Sequence, residues 1–301
     1  MKFFLATAIL IAGANFSQAA LFTNSISVDA FVRGNAPAAN YGAAGSLTVS
    51  GSTATNAAGT ANGVADSFIR FNTSALVANL NSLFGPNNWA ISGVTLRVVE
   101  VGAPMNTIFT RGKGTFEIRW TSNDSWIEGT GMPMAPTDDG ITYNDEPPLL
   151  TNTVSLGTFT NAGINSTESF SLALSSALTS DISAGGEVGL YLTALDPEIG
   201  FTFNSQNFTT ANQRPVVIVS AAPVPGTTGI VLSGNDAVIA GTNGVAGGTY
   251  VVLSTTNLLS PLNQWTPIAT NALETGGAFT IRATNALSNP SAQQFFLLQA
   301  Q

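Results

Sequence analysis

Apolar residues alternate with polar residues along most of this 301-residue chain. Val94, Leu96 and Val98 form one such run, and residues 116–120, 170–174 and 188–192 form others. A period of two predicts strands that bury one face, whereas residues 216–219 are apolar on both faces, as in a central strand of a sandwich. Clusters of Gly, Asn and Pro separate the runs, so the pattern predicts an all-β fold.

Two short helices interrupt this pattern. Thr73 or Ser74 is placed to cap a helix that carries apolar residues at helical spacing and ends at Gly85 and Pro86. Residues 174–182 predict a second helix of one or two turns. Both are expected to close ends of the sandwich.

Pro223, Pro225 and Gly226 predict a domain boundary, since two prolines and a glycine block strand pairing. We therefore expect one domain over residues 20–222 and a second over residues 223–301. Six strand-like runs follow the boundary, at residues 230–232, 238–240, 250–253, 265–268, 279–282 and 295–298. They predict a small fibronectin- or immunoglobulin-like β-domain.

The first nineteen residues have the pattern of a secretory signal peptide. Lys2 is basic, residues 3–14 are apolar, and Ser17, Gln18 and Ala19 form a small-x-small cleavage pattern. Because the apolar run is shorter than the roughly 20 residues that span a bilayer, it is not expected to be an anchor. We expect a secreted protein, extracellular or at the cell surface, with no membrane span.

The composition excludes several kinds of chemistry. The chain has no His and no Cys, which rules out Ser-His-Asp and Cys-His relays and disulfides. Carboxylate acid-base chemistry, Tyr or Lys chemistry and binding of hard cations through oxygen ligands remain. The formal net charge is −8, from 9 basic and 17 acidic residues, which argues against nucleic acid or an anionic membrane as partner.

One segment is unlike the rest of the chain. Trp126 is followed by Glu128, by a twelve-residue excursion over residues 129–140, and then by Tyr143 and Pro147. The excursion carries Asp138 and Asp139. Because large aromatic residues are mostly structural, we interpret Trp126 as a buried anchor that holds a surface loop.

Several motifs in one order carry a family resemblance. They are Asp-Ala-Phe-Val-Arg at 29–33, Asn-Tyr-Gly at 40–42, Ser-Phe-Ile-Arg-Phe at 67–71, Trp-x-Glu at 126–128, Ile-Thr-Tyr-Asn at 141–144, Gly-Leu-Tyr-Leu at 189–192, Phe-Asn-Ser at 203–205 and Arg-Pro-Val-Val-Ile at 214–218. Over roughly residues 26–220 the chain resembles the DNRLRE-domain family. In that family Arg-Glu commonly follows the Phe-x-Ser motif, whereas Gln206 and Asn207 stand here.

This resemblance implies a jelly-roll-like antiparallel β-sandwich in secreted bacterial proteins. Such domains are classed among carbohydrate-binding modules, some of which bind alginate, and the resemblance implies no catalysis. Residues 248–250, 254–258, 265–266 and 295–296 are similar to a small C-terminal β-domain on secreted proteins of Verrucomicrobia-like bacteria.

Basic and aromatic side chains are the candidate ligand-binding groups. Seven basic residues lie in the first domain: Arg33, Arg70, Arg97, Arg111, Lys113, Arg119 and Arg214. By alternation Arg97 and Arg119 point away from the apolar sets, so they could line one outer sheet face and bind uronate carboxylates. The alternative is that these arginines are solvated or pair with Glu100, Glu117 or Asp66.

Aromatic rings can stack on sugars, and Tyr41, Trp89, Trp126, Tyr143 and Tyr191 are candidates. Tyr191 lies opposite Leu190 and Leu192 in the alternation and is expected to point outward. We predict that the ligand-binding residues are Arg33, Tyr41, Arg97, Arg119 and Tyr191.

Carboxylates support two further hypotheses. Asp138, Asp139, Asp145 and Glu146 could gather around Ca²⁺, although their spacing matches no EF-hand and no other cofactor is expected. Glu128 with Asp139 or Asp145 could form a glycosidase acid-base pair.

Three functions therefore compete. The leading one is a non-catalytic module that binds a polysaccharide, an acidic one such as alginate. The alternatives are a structural or adhesive surface protein and a carboxylate-dependent glycosidase.

Overall fold

A computed structural model describes residues 8–10, 19–56, 59–61, 63–101, 112–161, 166–287 and 294–300. Strands dominate it, and all strand pairs with a described register are antiparallel except β1 with β17. The strands are β1 Ala8–Leu10, β2 Ala20–Arg33, β3 Ser46–Ser50, β4 Ala65–Asn72, β5 Trp89–Val99, β6 Gly114–Thr121, β7 Thr153–Asn161, β8 Thr167–Leu172, β9 Glu187–Ala194, β10 Gly200–Asn204, β11 Val216–Pro223, β12 Gly226–Ser233, β13 Asp236–Gly244, β14 Thr249–Thr255, β15 Thr266–Ala272, β16 Gly277–Ala283 and β17 Phe295–Ala300. The all-β prediction is confirmed.

Three α-helices lie between the strands. They are α1 Ser74–Phe84, α2 Glu146–Leu149 and α3 Ser176–Ala184. The two predicted helices are confirmed as α1 and α3, and the backbone N–H of Ser74 is capped by the side chain of Asn72. Ser175 caps α3 by accepting a hydrogen bond from the Leu178 N–H. No helix in the described ranges is long and apolar enough to cross a membrane.

The chain folds into two units. The larger consists of Leu21–Asn79 and Ile91–Ser220. The smaller consists of Ala221–Gln301 and Leu80–Ala90, together with the described residues before Leu21.

The larger unit is built on one ten-stranded sheet. Its strand order is β7-β6-β9-β4-β2-β11-β5-β8, with β3 paired to β4 and to β10. Neighbouring strands are mostly not consecutive in the chain, so connections cross between layers as they do in jelly rolls.

The sheet curls around an aromatic core. Phe116 of β6 and Phe170 of β8 belong to strands near opposite ends of the strand order, yet their ring centroids are 5.2 Å apart. Phe201 of β10 packs 5.1 Å from Phe116. Because these contacts join the two ends of the sheet, strands β6 and β8 form opposing walls. Trp120 is buried on the same side as Phe116, as predicted.

The smaller unit contains the six predicted C-terminal strands, β12 to β17. They form a sheet of order β12-β13-β16 and a sheet of order β1-β17-β14-β15. Apolar side chains from both sheets form one core cluster, including Ile239 and Ile281 from the first sheet and Val252 and Leu298 from the second. The other side of β14 and β17 packs against Trp265. Residues 8–10, inside the predicted signal peptide, pair in parallel with β17.

Candidate functional site

The outer face of the larger unit carries a row of apolar residues. Ala30 of β2 lies opposite Phe68 of β4, and Phe68 lies opposite Tyr191 of β9. Residues 126–149, which we call the cover segment, bury this row by packing Trp126, Ile141 and Leu149 on it. The face therefore belongs to a second core outside the sandwich.

Trp126 anchors the cover segment, as predicted from its surroundings in the sequence. It is 7% exposed, and its ring lies 5.9 Å from the ring of Phe68 in an edge-on arrangement. The guanidinium of Arg70 lies 5.1 Å from the Trp126 ring centroid and donates a 3.0 Å hydrogen bond to the Trp126 carbonyl. Arg70 also donates to the Asp124 carbonyl and pairs with Glu187. Arg70 therefore has a structural role, because its guanidinium holds the start of the cover segment.

Asn40 holds both ends of the excursion. Its Nδ2 donates to the carbonyls of Glu128 and Ile141, at 2.7 and 2.8 Å. Its Oδ1 accepts from the N–H groups of Gly42 and Gly131, at 3.0 and 3.1 Å. Gly131 has no room for a side chain, because a Cβ there would lie 1.9 Å from the Asn40 carbonyl oxygen. The buried amide therefore joins three stretches of chain.

Glu128 is bound by side-chain amides. Its Oε1 accepts from Gln206 Nε2 at 2.6 Å and from Asn207 Nδ2 at 3.1 Å. Close by, the buried Asp29 accepts a 2.7 Å hydrogen bond from the Gln206 N–H. Burial raises the pKa of Asp29 well above its ordinary value, and the charge of Glu128 raises it further. The two residues that depart from the DNRLRE pattern thus contact the Trp-x-Glu motif.

A buried carboxyl pair lies at the C-terminal end of the cover segment. The Glu146 side chain is hydrogen-bonded to Asp66, which also accepts from Tyr191 and Thr193. Burial raises the pKa of Asp66 to about 6, and burial and the Asp66 charge raise that of Glu146 to about 9. Burial also raises the pKa of Tyr191. Near neutral pH Glu146 is therefore protonated, and it donates a hydrogen bond to Asp66.

An open groove of about 530 Å³ runs along the cover segment. Three carboxylates line it, those of Asp138, Asp139 and Asp145, beside Trp126 and Ile127. Asp139 accepts from the hydroxyls of Thr130 and Thr137, at 2.7 and 2.6 Å, and these hydrogen bonds lower its pKa to about 2. We call this the acidic groove; its charge disfavours anionic ligands.

The carboxylates do not gather as the calcium hypothesis requires. Among the described residues, no three His, Cys, Asp or Glu side chains could together hold a metal ion. Asp139 is held by threonines, whereas Asp145 accepts from the Thr142 N–H and hydroxyl at 2.9 and 2.8 Å. Glu128 is held by Gln206 and Asn207. Each carboxylate thus has its own donors.

Two of the predicted ligand-binding residues are buried, which corrects the expectation of exposed rings. Tyr41 is 3% exposed and stacks on Phe31 at 4.7 Å between centroids. Tyr191 does point outward from the sheet, but it is 6% exposed because the cover segment lies on it. Neither ring face is available to stack on a sugar.

Arg97 and Arg119 lie on different walls, so the expectation that they share a face is wrong. Arg119 of β6 is opposite Tyr191 on the covered side. It pairs with Glu117 at 2.9 Å and donates to Thr153 Oγ1, which confirms the alternative interpretation for this residue. Arg33 is half-buried and already has contacts within the protein. Arg111 lies outside the described residues.

Arg97 has different surroundings. It lies opposite Ser169, and the neighbouring outward positions of β5 and β8 are Thr95, Val99, Thr167 and Ser171, of which all but Val99 are polar. Ser169, Ser171 and Thr167 are exposed, and Arg97 is half-buried. In the described parts of the chain, the Arg97 guanidinium has neither a hydrogen bond nor an ion pair. We call the side chains of Arg97, Thr95, Thr167, Ser169 and Ser171 the Arg97 face.

The sequence profile of carbohydrate-binding module family 96 matches residues 20–221, about two thirds of the chain. The chain belongs to this family. As its name states, this family consists of carbohydrate-binding modules. Among curated proteins, none matches the sequence significantly.

Solved structures give only distant similarity. The β-glucuronidase of Ruminococcus gnavus in complex with uronic isofagomine is 8% identical with a TM-score of 0.25, covering 88% of this chain and 38% of the enzyme. The β-D-glucuronidase of Dictyoglomus thermophilum is 10% identical with a TM-score of 0.21, covering 97% of this chain and 45% of the enzyme. The chain spans less than half of either enzyme, and at these scores the similarity supports no argument about function.

Sequence reasoning missed the importance of Asn40, Asp66 and Gln206. Asn40 and Asp66 lie in or beside the quoted family motifs, but only tertiary contacts reveal that Asn40 joins three chain stretches and that Asp66 shares a proton with Glu146. Gln206 did carry a signal, since it stands where the DNRLRE pattern has arginine.

Proposed function

We propose that this protein is secreted after removal of residues 1–19 and that residues 20–222 bind an acidic polysaccharide, such as alginate, without cleaving it. Residues 223–301 then form a separate C-terminal domain. Membership of a carbohydrate-binding family supports the class of ligand. The DNRLRE resemblance and the signal-peptide pattern support the remaining parts of the proposal.

The observation that carries the acidic ligand is the unpartnered guanidinium on the Arg97 face. A guanidinium can bind a uronate carboxylate through two parallel hydrogen bonds, and the surrounding serine and threonine hydroxyls suit sugar hydroxyls. The Arg97 face contains no carboxylate. The acidic groove, by contrast, presents ionised Asp139 together with Asp138 and Asp145, which repel a uronate.

The non-catalytic part rests on the hydrogen bonds that hold the candidate carboxylates. A glycosidase needs two carboxyl groups about 5–10 Å apart across the scissile bond, one of which is free to give up a proton. Glu128 Oε1 accepts from two side-chain amides, and Asp139 accepts from two threonine hydroxyls. Raised pKa values belong to Asp29, Asp66 and Glu146, which are buried, and to the half-buried Asp181, which accepts a hydrogen bond from the Trp120 indole N–H.

Binding to alginate oligomers, measured by calorimetry with Arg97→Gln and Arg119→Gln, tests the proposal. We expect Arg97→Gln to weaken binding about tenfold or more, since it removes a charged hydrogen-bonding partner, and Arg119→Gln to change it little. Equal effects of the two variants, or no binding of alginate by the parent chain, would overturn it. Release of reducing sugar from alginate by the purified protein would refute the non-catalytic part.

A further inference from the structure

The smaller unit contains a cleft that no part of the proposed function uses. Its volume is about 500 Å³, within the range of small-molecule sites. Its lining residues are Ser254, Thr255, Thr256, Gln264, Thr266, Ile268, Thr284, Asn285, Ala286 and Gln294. Eight of these ten carry a hydroxyl or amide group and none carries a charge. We call it the polar cleft.

The side chain of Gln294 is fixed at the inner wall of the polar cleft. Its Nε2 donates to Ser254 Oγ at 2.7 Å and to the Ala286 carbonyl at 2.9 Å. Both amide hydrogens are therefore used, which leaves the Gln294 carbonyl oxygen as an acceptor of fixed orientation.

Ser254 supplies the complementary group. It is 6% exposed, and its oxygen already accepts from Gln294, so its own O–H remains to be donated. Within the described ranges, Ser254 donates to no acceptor. An acceptor and a donor thus lie side by side in fixed positions, an arrangement that suits a hydroxyl group, which both donates and accepts.

The rim of the polar cleft carries further side chains that can donate and accept hydrogen bonds. Gln264 and Asn285 offer amides, and Thr266 and Thr284 offer hydroxyls, while Ile268 and Ala286 provide apolar surface. The Asn285 backbone is in the left-handed region at φ 54°, and its N–H donates to Asp236 Oδ1 at 2.9 Å, which fixes this corner of the rim. An uncharged lining gives no preference for an ionic ligand.

We propose that the polar cleft is a second carbohydrate-binding site, which takes a neutral sugar unit through its hydroxyl groups. It lies in a different unit from the Arg97 face and favours a different class of glycan, so it does not depend on the acidic-ligand proposal. With both sites, one chain would bind an acidic and a neutral glycan.

The test is a ¹H–¹⁵N NMR titration of the full chain with cellohexaose, mannohexaose and maltohexaose in turn. We expect at least one of them to give saturable shifts at residues 254–256, 264–266 and 284–286. Thr266→Val combined with Gln264→Ala should weaken this binding at least about tenfold, since each change removes a hydrogen-bonding group from an exposed rim position.

Thr270→Val is the matched control, because Thr270 is an exposed threonine of the same strand that does not line the polar cleft. It should leave the neutral-sugar affinity unchanged, and none of the variants should alter alginate binding. No localised shift with any of the three hexasaccharides, or equal weakening by Thr270→Val and by the rim variant, would overturn the proposal.

Discussion

Two outer faces of the same sandwich arise from the same alternation of side chains, but one face is buried and the other is exposed. On β2, β4 and β9 the outward residues are Ala30, Phe68 and Tyr191, and the cover segment buries them. On β5 and β8 the outward residues are Arg97 and Val99 with serines and threonines, and the β8 residues stay exposed. An apolar outward residue thus signals a covering element, and a polar outward residue signals a surface that can meet a ligand.

Removing the anchor of the cover segment should have the largest effect. Trp126→Ala is expected to destabilise the protein by about 3–5 kcal/mol, since it removes a buried aromatic ring and the contact with Arg70. Urea unfolding gives the free energy, and hydrogen exchange should be faster over residues 126–149 while β5 and β8 keep their protection. Equal loss of protection on both faces would show that the cover is not a separate layer.

Asn40→Ala should be the next most severe change. It leaves four backbone groups of the excursion and its flanks without their partner, so we expect a loss of about 2–4 kcal/mol in unfolding free energy. Ser169→Ala on the Arg97 face is the control, with an expected change within about 0.5 kcal/mol. A loss below about 1 kcal/mol for Asn40→Ala would contradict its role.

The buried carboxyl pair makes stability depend on pH. The pKa of Glu146 is raised to about 9 in the folded protein, so between its ordinary value of 4.5 and about 9 the folded state holds a proton that the unfolded state has lost. Stability is therefore greatest below pH 4.5 as far as this group is concerned, and decreases as pH rises to about 9. The raised pKa of Asp66 adds a decrease between its ordinary value of 3.8 and about 6.

Glu146→Gln should remove most of this dependence above pH 6, because the amide can still donate to Asp66 but cannot ionise. We expect the variant to be more stable than the parent by about 3–4 kcal/mol at pH 8 and by less than about 1 kcal/mol at pH 5, since each pH unit between the two pKa values contributes about 1.4 kcal/mol. Urea midpoints at the two pH values measure this. A parent and a variant with parallel pH profiles would exclude Glu146 as the titrating group.

Gln206→Arg should have the smallest effect. It restores one residue of the DNRLRE pattern beside Glu128 and Asp29 and replaces a neutral donor by a charged one. We expect a gain of about 0.5–1 kcal/mol in unfolding free energy at pH 7 and no change in alginate affinity. Gln213→Arg, at an exposed position, is the control and should change neither. A clear gain in alginate affinity for Gln206→Arg would place the ligand on the covered side instead.

The local sequence pattern was sufficient to predict the strands and the side of the sheet on which each side chain lies. The six C-terminal strands and the direction of Tyr191 follow from alternation, which is a property of neighbouring residues. The burial of Tyr191 does not follow from alternation. It results from contacts with Trp126 and Leu149, which are more than forty residues away in the chain. Alternation states which side a residue faces and leaves open what lies on that side.

Whether Arg97 and Arg119 share a face could not be predicted from the sequence, for a similar reason. Both point away from the core, as predicted, but strands β9, β4, β2 and β11 separate their strands in the sheet. Whether two outward residues share a face depends on strand order and on how far the sheet curls. The alternation of apolar and polar residues determines neither.

The amide of Asn40 lies where both ends of the excursion meet, so the length of chain between them is independent of the sandwich. Residues 132–136 lie between Gly131 and Thr137, which are both hydrogen-bonded to Asn40, and Met134 in their middle is 87% exposed. This tip tolerates replacement, because the contacts that close the loop, at Asn40 and between Asp139 and its two threonines, lie outside it. The Asn40 junction therefore makes this domain a scaffold on which new loops can be grafted, and a route by which related chains could acquire different surfaces without changing their core.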